Sequence, residues 1–189
     1  MESALVVTHS EKSMAFFTEI LGAASIGQIT SLRTCGDARR LLLERDFDLV
    51  VINAPLRDES GEALARSIAQ RAGTQVLLVV GTEHFDAICA VCEADGILVI
   101  AKPVTYSVVW SALKLAGAAQ NRMKRMQAEN SRLKQKLEDI RIVDRAKCIL
   151  ISYLNMSEQD AHHFIEKQAM DMRLPKRAIA EGILKTYEN

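Results

Sequence analysis

The chain has 189 residues, 49% of them apolar and 5% aromatic, with 24 basic and 24 acidic side chains. That content excludes a disordered polar chain and allows one good core plus a second small one. No apolar run reaches the roughly 18 residues that cross a bilayer, which excludes a membrane-spanning helix. The charge is uneven: residues 1–113 carry a net −5, residues 114–140 a net +4 and residues 141–189 a net +1. An acidic front and a basic middle point to different tasks for the two ends. Residues 1–10 contain no basic leader and no cleavage site, so a cytoplasmic location is expected. The four cysteines then read as reduced thiols. Cys89 and Cys92 form a C-x-x-C, but it lies in a helical-looking apolar stretch with no second ligand pair, so packing explains it better than metal or redox chemistry.

In chain order, residues 4–7 are a short apolar run, followed by Thr8 and His9 and an amphipathic stretch carrying Met14, Phe17, Ile20 and Leu21 at helical spacing. A second run at 25–29 precedes a helix around 37–45. A third at 48–52 ends on Asn53 and leads into a polar loop closing at Gly61, then a helix through Gln70. Runs at 76–80 and 97–100 supply a fourth and a fifth strand, each followed by helical sequence. Five buried strands alternating with helices predict a flavodoxin-like α/β domain with a five-stranded parallel sheet. Such sheets carry their sites at the carboxyl ends of the strands, so Thr8, His9, Asn53, Val80 and Lys102 are the informative positions.

With Asp48-Leu49-Val50-Val51-Ile52-Asn53, Pro55 and Gly61 in the next loop, and Lys102-Pro103 after the fifth strand, residues 1–112 resemble the response-regulator receiver family. The resemblance implies two acidic metal ligands where Thr8 and His9 stand, an aspartate nucleophile at Asn53, a Thr or Ser at Val80, and the lysine that is kept as Lys102. It also implies a cis bond between Lys102 and Pro103. Phosphoryl transfer to a protein needs a carboxylate nucleophile and a cation on the phosphoryl oxygens. An amide is a poor nucleophile, and Thr with His does not replace two hard carboxylates for Mg²⁺. Asp58 and Glu59 in the following loop would still lack the metal. The domain is therefore expected to be a pseudo-receiver without phosphorylation or cofactor, in which Lys102 hydrogen-bonds Asn53 or a strand-end carbonyl.

From residue 106 to 147 there is no proline, and Gly117 is the one glycine. Met123, Asn130 and Leu137 at a positions alternate with Met126, Leu133 and Ile140 at d positions, and Ala116 with Ala119 extend the pattern backwards. This heptad, over residues 113–140, predicts a coiled-coil homodimer in which a buried Asn pair selects two strands in register. Its basic residues, including Arg122, Lys124, Arg125 and Arg132, read as the solvated outer face. Beyond Ile140 the apolar stripe widens through Ile142, Val143, Ala146, Ile149, Leu150 and Tyr153 to the period of a helix packing into a globule. The chain turns at Asn155-Met156, Ser157 offers an N-cap, and a second helix is expected to bury Ala161, Phe164, Ile165, Ala169 and Met172. Pro175 suits the first turn of a third helix burying Ile179, Ala180, Ile183 and Leu184.

Arg141-x-x-x-x-Ala146-Lys147, then Ile149-Leu150, Ser157-Glu158-x-x-Ala161, Ala169-Met170-x-x-Arg173 and Ile179-Ala180 give residues 141–189 a resemblance to the ANTAR domain, the RNA-binding module of AmiR- and NasR-type antitermination regulators. Cys148 stands where a glycine is usual and Glu166 where arginine is frequent. The order of degenerate receiver, coiled coil and ANTAR domain is most like the AmiR layout. The resemblance implies a non-enzymatic transcription antitermination regulator that binds leader-transcript hairpins. Arg145, Lys147, Lys167, Arg173, Lys176 and Arg177 are its candidate phosphate contacts, with His162 and His163 able to donate or stack. Control would come from a regulatory protein or a ligand-sensing partner. The other readings open to the sequence are a protein-interaction adaptor and a DNA-binding response regulator, although the third helix is short and mostly apolar for a recognition helix. His162-His163 lacks further ligands at metal spacing.

Overall fold

The computed structural model describes residues 1–71 and 73–187. Two compact units emerge, Met1–Lys124 and a second from Arg125 onward. In the first, β1 (Ser3–Val7), β2 (Gln28–Leu32), β3 (Leu49–Asn53), β4 (Gln75–Val80) and β5 (Leu98–Ala101) form one parallel sheet in the order β2-β1-β3-β4-β5. The helices are α1 (Glu11–Ala23), α2 (Cys35–Glu44), α3 (Glu62–Ala69), α4 (Phe85–Cys92) and α5 (Tyr106–Leu154). This order is that of the flavodoxin-like sheet expected from the sequence.

Alternation along each strand divides the core in two. Leu5, Val7, Val50, Ile52, Leu78 and Val80 face α2, α3 and α4, meeting Ala38, Leu42, Leu64, Ile68 and Cys92. Ala4, Val6, Leu49, Val51, Leu77 and Val79 face α1 and α5, meeting Phe17, Ile20, Leu21, Val109 and Leu113. All five residues of β3 are buried, because this central strand is covered on both faces.

The edge strand departs from the sequence expectation. An apolar run at 25–29 pointed to β2, yet the strand starts at Gln28. Ser25 adopts a left-handed φ of 62°, and Ile26 goes into the core under α1, so the pairing Ser3 with Gln28 opens the strand later. β5 likewise starts one residue after the expected Ile97. Gly61, which precedes α3, has φ +88°, and a Cβ there would lie 2.9 Å from Ile52 Cγ2, so the position requires glycine. Peptide bonds Ala54–Pro55 and Lys102–Pro103 are both cis, the second as the receiver resemblance implied.

A polar clamp closes the amino-terminal ends of the central strands β1 and β3. The Asp48 carboxylate accepts the backbone N–H groups of Glu2 (2.6 Å) and Ser3 (3.3 Å) and the side-chain amide of Gln120 (3.1 Å). Gln120, 3% exposed on α5, also donates to the carbonyl of Gly73, and Lys124 stands 3.7 Å from Asp48. Val109, Leu113, Ala116 and Gln120 thus form one inward face of α5, spaced four, three and four residues apart. Ala116, expected to extend the dimer seam, is buried in this unit instead, whereas Ala119 is exposed.

In the second unit, the end of α5 packs with α6 (Glu158–Met172) and α7 (Lys176–Tyr187) around Ala146, Leu150, Ala161, Ile165 and Ala180. Three alanines at the contacts let the helices approach closely. Asn155 (φ 50°) breaks the long helix, and the Ser157 hydroxyl caps α6 by accepting from Asp160 N at 3.1 Å. Two expected core residues lie outside. Tyr153 is 65% exposed, its ring 5.5 Å from that of Tyr187, and Met172 is 59% exposed on the last turn of α6. The core is too short along the helix axes to reach them.

Burial alone would raise the Asp48 pKa, but the N–H groups of Glu2 and Ser3, the Gln120 amide and Lys124 outweigh it and hold the carboxyl below its ordinary range. The stabilisation is therefore complete above the unfolded pKa and is lost as pH falls through the lower folded value. Asp48→Asn is expected to cost about 1–3 kcal/mol near pH 7 in chemical denaturation, with the deficit shrinking in acid. A deficit that is the same in acid and at neutrality would show that the carboxylate charge contributes nothing.

Candidate regulatory edge and nucleic-acid interface

At the carboxyl ends of the strands, three of the positions singled out from sequence, Thr8, Asn53 and Lys102, come together. Thr8, fully buried after β1, accepts a hydrogen bond of 3.0 Å from the Asn53 side-chain amide, and Asn53 is 5% exposed. Lys102 donates to the backbone carbonyl of Ala54, the strand-end alternative expected for it. Burial pushes its pKa down, opposed by the exposed Glu83. Val80 is 2% exposed and belongs to the apolar core. His9 keeps its Nδ1 buried with no hydrogen-bond partner among the described residues.

The two acids of the following loop are committed elsewhere. Asp58 accepts from the backbone N–H groups of Cys35 (3.1 Å) and Gly36 (3.0 Å), at the positive end of α2. Glu59 forms a two-pronged pair with Arg39, one prong at 2.7 Å. Sequence reading missed this tether, for which no local signal exists. Cys35, Asp58 and Glu59 offer ligand atoms within 4.8 Å of one another. Burial, reinforced by Asp58 and Glu59, pushes the Cys35 thiol up to about 11, and both carboxylates already have donors, so the trio fits a protonated thiol better than a metal. Cys89 is half-buried and Cys92 buried on α4, consistent with packing.

Along α5, Met123, Met126, Leu133, Leu137 and Ile140 are 52–59% exposed, and Asn130 is exposed among them. A monomer gains nothing from a periodic stripe of large apolar side chains in water.

In the second unit, a cleft of about 380 Å³ is lined by Lys147, His162, Lys176 and Arg177 together with Asp139 and Asp144. Three of the six candidate phosphate contacts thus share one mouth, but each has a carboxylate. Lys147, 15% exposed at its side chain, bridges Asp144 (2.9 Å) and Glu158 (3.3 Å), tying α5 to α6. Arg177 pairs with Asp139 (2.8 Å) and Glu181 (2.7 Å). Glu166, one of the two departures from the ANTAR pattern, gathers Lys176, His162 (3.2 Å) and His163 (3.6 Å). Lys176 is first among the groups that hold the Glu166 pKa low, against the opposing effect of burial. Lys167 and Arg173 are exposed and have no acidic partner within ion-pair distance among the described residues. Arg145 is engaged in an interaction of its own.

Comparison with known proteins agrees with this division. Residues 131–184 match the ANTAR domain, beginning ten residues before the boundary expected from sequence, inside the heptad stretch. The chain is similar to the transcriptional regulatory protein PdtaR of Mycobacterium tuberculosis, 27% identical over 168 residues that cover 89% of this chain and 78% of that one. Among solved structures, it resembles the signal receiver domain of an HD domain-containing protein from Pseudomonas fluorescens Pf-5, with 23% identity, a TM-score of 0.56 and coverage of 65% of this chain and 91% of that one. A two component transcriptional regulator AraC from Clostridium phytofermentans ISDg gives 16% identity and a TM-score of 0.59, covering 66% of this chain and 98% of that one. These two likenesses concern the fold. The chain joins a receiver fold to an ANTAR domain.

Proposed function

We propose that this protein is a non-enzymatic, cytoplasmic transcription antitermination regulator that binds hairpins of a leader RNA as a homodimer. Its pseudo-receiver answers to a partner protein or a small ligand, not to aspartyl phosphorylation. The observation that carries the reading is the ANTAR match at residues 131–184, on three helices that bring Lys147, His162, Lys176 and Arg177 to one cleft. The exposed heptad stripe supports pairing through Met123, Met126, Asn130, Leu133, Leu137 and Ile140. The Thr8–Asn53 hydrogen bond supports control without phosphate, since it leaves neither a carboxylate nucleophile nor a metal ligand pair.

Exposed ion pairs contribute about 0–1 kcal/mol each, so RNA phosphates can displace carboxylates from Lys176 and Arg177 at small cost. Lys147, bridged and mostly buried, acts chiefly as a tie between helices. Lys167 and Arg173 are the readiest phosphate contacts. Affinity for a two-hairpin leader RNA should fall steeply between about 50 and 200 mM salt. Lys167→Ala and Arg173→Ala should each weaken binding and flatten the logarithmic salt slope by about 0.7–0.9 for every phosphate no longer held. Glu166→Gln should strengthen it by releasing Lys176. Preference for duplex DNA, or a salt-independent affinity, would sink the RNA reading.

The dimer is tested separately. Leu133→Asp places a charge in the seam and should give monomers in analytical ultracentrifugation while the circular dichroism of both units is kept. An unchanged mass would locate the pairing elsewhere. Incubation with acetyl phosphate and Mg²⁺ should add no phosphorylated species, heavier by about 80 Da, in intact-mass analysis. A stable acyl phosphate would reverse the account of Asn53.

A further inference from the structure

The edge of the sheet that lacks its phosphoryl chemistry retains a cleft. About 430 Å³ is enclosed by Lys12, Ser13, Phe16 and Phe17 of α1, Asn53 at the end of β3, and Lys102, Pro103 and Val104 after β5. This volume falls within the range of small-molecule sites, roughly 300–1,000 Å³. A receiver needs carboxylates here. The ionisable residues lining this cleft are two lysines, and among the described residues no acid lines it. Loss of the acids has inverted the sign of the site.

The lysines are not spent. The Lys102 ammonium has three hydrogens and donates one to the Ala54 carbonyl, leaving two. It is partly desolvated without a carboxylate inside the cleft, and the one acid it senses, Glu83, stands outside the lining at 71% side-chain exposure. Burying a cation without its counter-charge is costly, and an anion brought into the cleft relieves that cost. Lys12 is exposed at the rim, with Ser13 beside it as a hydroxyl donor. Each wall also carries apolar carbon: Phe16 and Phe17 on α1, whose rings meet edge to face at 5.3 Å, and Pro103 and Val104 next to Lys102. Cationic groups and apolar carbon lining one cleft select an amphiphile, not a bare inorganic ion.

We propose that this cleft binds a small organic acid, its carboxylate held by Lys102 and Lys12 and its aromatic or short aliphatic body packed against Phe16, Pro103 and Val104. The proposal deepens the functional reading above by naming the class of ligand that acts on the pseudo-receiver. It makes Asn53 a wall of a binding site, with its amide fixed by Thr8.

The test is calorimetric titration of the full chain with benzoate and phenylacetate, each against its neutral amide, and with inorganic phosphate. No RNA is present, so failure here leaves the RNA reading untouched, and failure of RNA binding leaves this one untouched. The acids should bind saturably, and the amides and phosphate at least about tenfold more weakly. Lys102→Met, which keeps the aliphatic stem, should weaken acid binding by about tenfold or more. Lys12→Gln, at an exposed position where folding is not at stake, should weaken it several-fold. The proposal is overturned if neither acid binds saturably at about 10 mM. It is equally overturned if amides or phosphate match the acids, or if both lysine variants keep the affinity of the parent chain.

Discussion

One hydrogen bond, from the Asn53 amide to the Thr8 hydroxyl, determines the character of the functional edge of the first unit. Acids buried at the ends of adjacent parallel strands repel each other and demand a metal or a lysine between them. An amide and a hydroxyl satisfy each other without either, and both stay buried at little cost. The consequences follow residue by residue. Lys102, deprived of an acid, turns to the Ala54 carbonyl. Val80, relieved of any polar role, joins the apolar core. Asp58 and Glu59 of the following loop hold α2 through its first N–H groups and through Arg39. What remains at the carboxyl ends of the strands is a cationic cleft.

Much of this was legible in the residues, and for identifiable reasons. Central strands covered on both faces read as unbroken apolar runs, so β3 and β4 were found within a residue. The edge strand β2 was misplaced because only one neighbour pairs with it, and the most apolar residue nearby, Ile26, is used in the turn before it. Ser157 and Asn155 marked the break between α5 and α6 by cap chemistry alone. The Asp48–Gln120 clamp was half legible: Gln120 continues the inward face of Val109, Leu113 and Ala116, but its acceptor lies 72 residues away in sequence. Pairings across such distances leave no local trace. In the second unit Asp139 lies 38 residues from Arg177 and left no trace either, whereas Asp144 and Glu181 stand three and four residues from Lys147 and Arg177, a helical spacing that was open to reading.

The long helix illustrates why periodicity must be read in pieces. Over its first turns α5 buries residues 109, 113, 116 and 120, a face set by the sheet beneath it. From Met123 the apolar positions follow the seven-residue repeat, and they are exposed. From Ile142 they widen again to serve the small core around Ala146 and Leu150. Three environments along one uninterrupted helix impose three stripes. An average over all 49 residues hides each of them. Extending the seam back through Ala116 failed because small residues suit a helix against a sheet as well as a helix against a helix.

The second unit poses a different electrostatic problem. Its net charge from residue 141 onward is only +1, too little for a long-range field to gather a polyanion. The carboxylates of Asp139, Glu166 and Glu181 occupy the donors of Arg177 and Lys176 in the structure. On the RNA-binding reading, association is an exchange in which phosphate oxygens take the places that carboxylate oxygens hold. Such exchange is nearly neutral in energy for each exposed pair, so it discriminates by geometry: a phosphate spacing that meets Lys167, Arg173 and the Glu166 group together gains, and any other spacing gains little. Pairing two chains through the α5 seam doubles the number of such contacts and turns weak single encounters into an avid one. On that reading, a chain neutral in sum gains from pairing along its exposed heptad stripe.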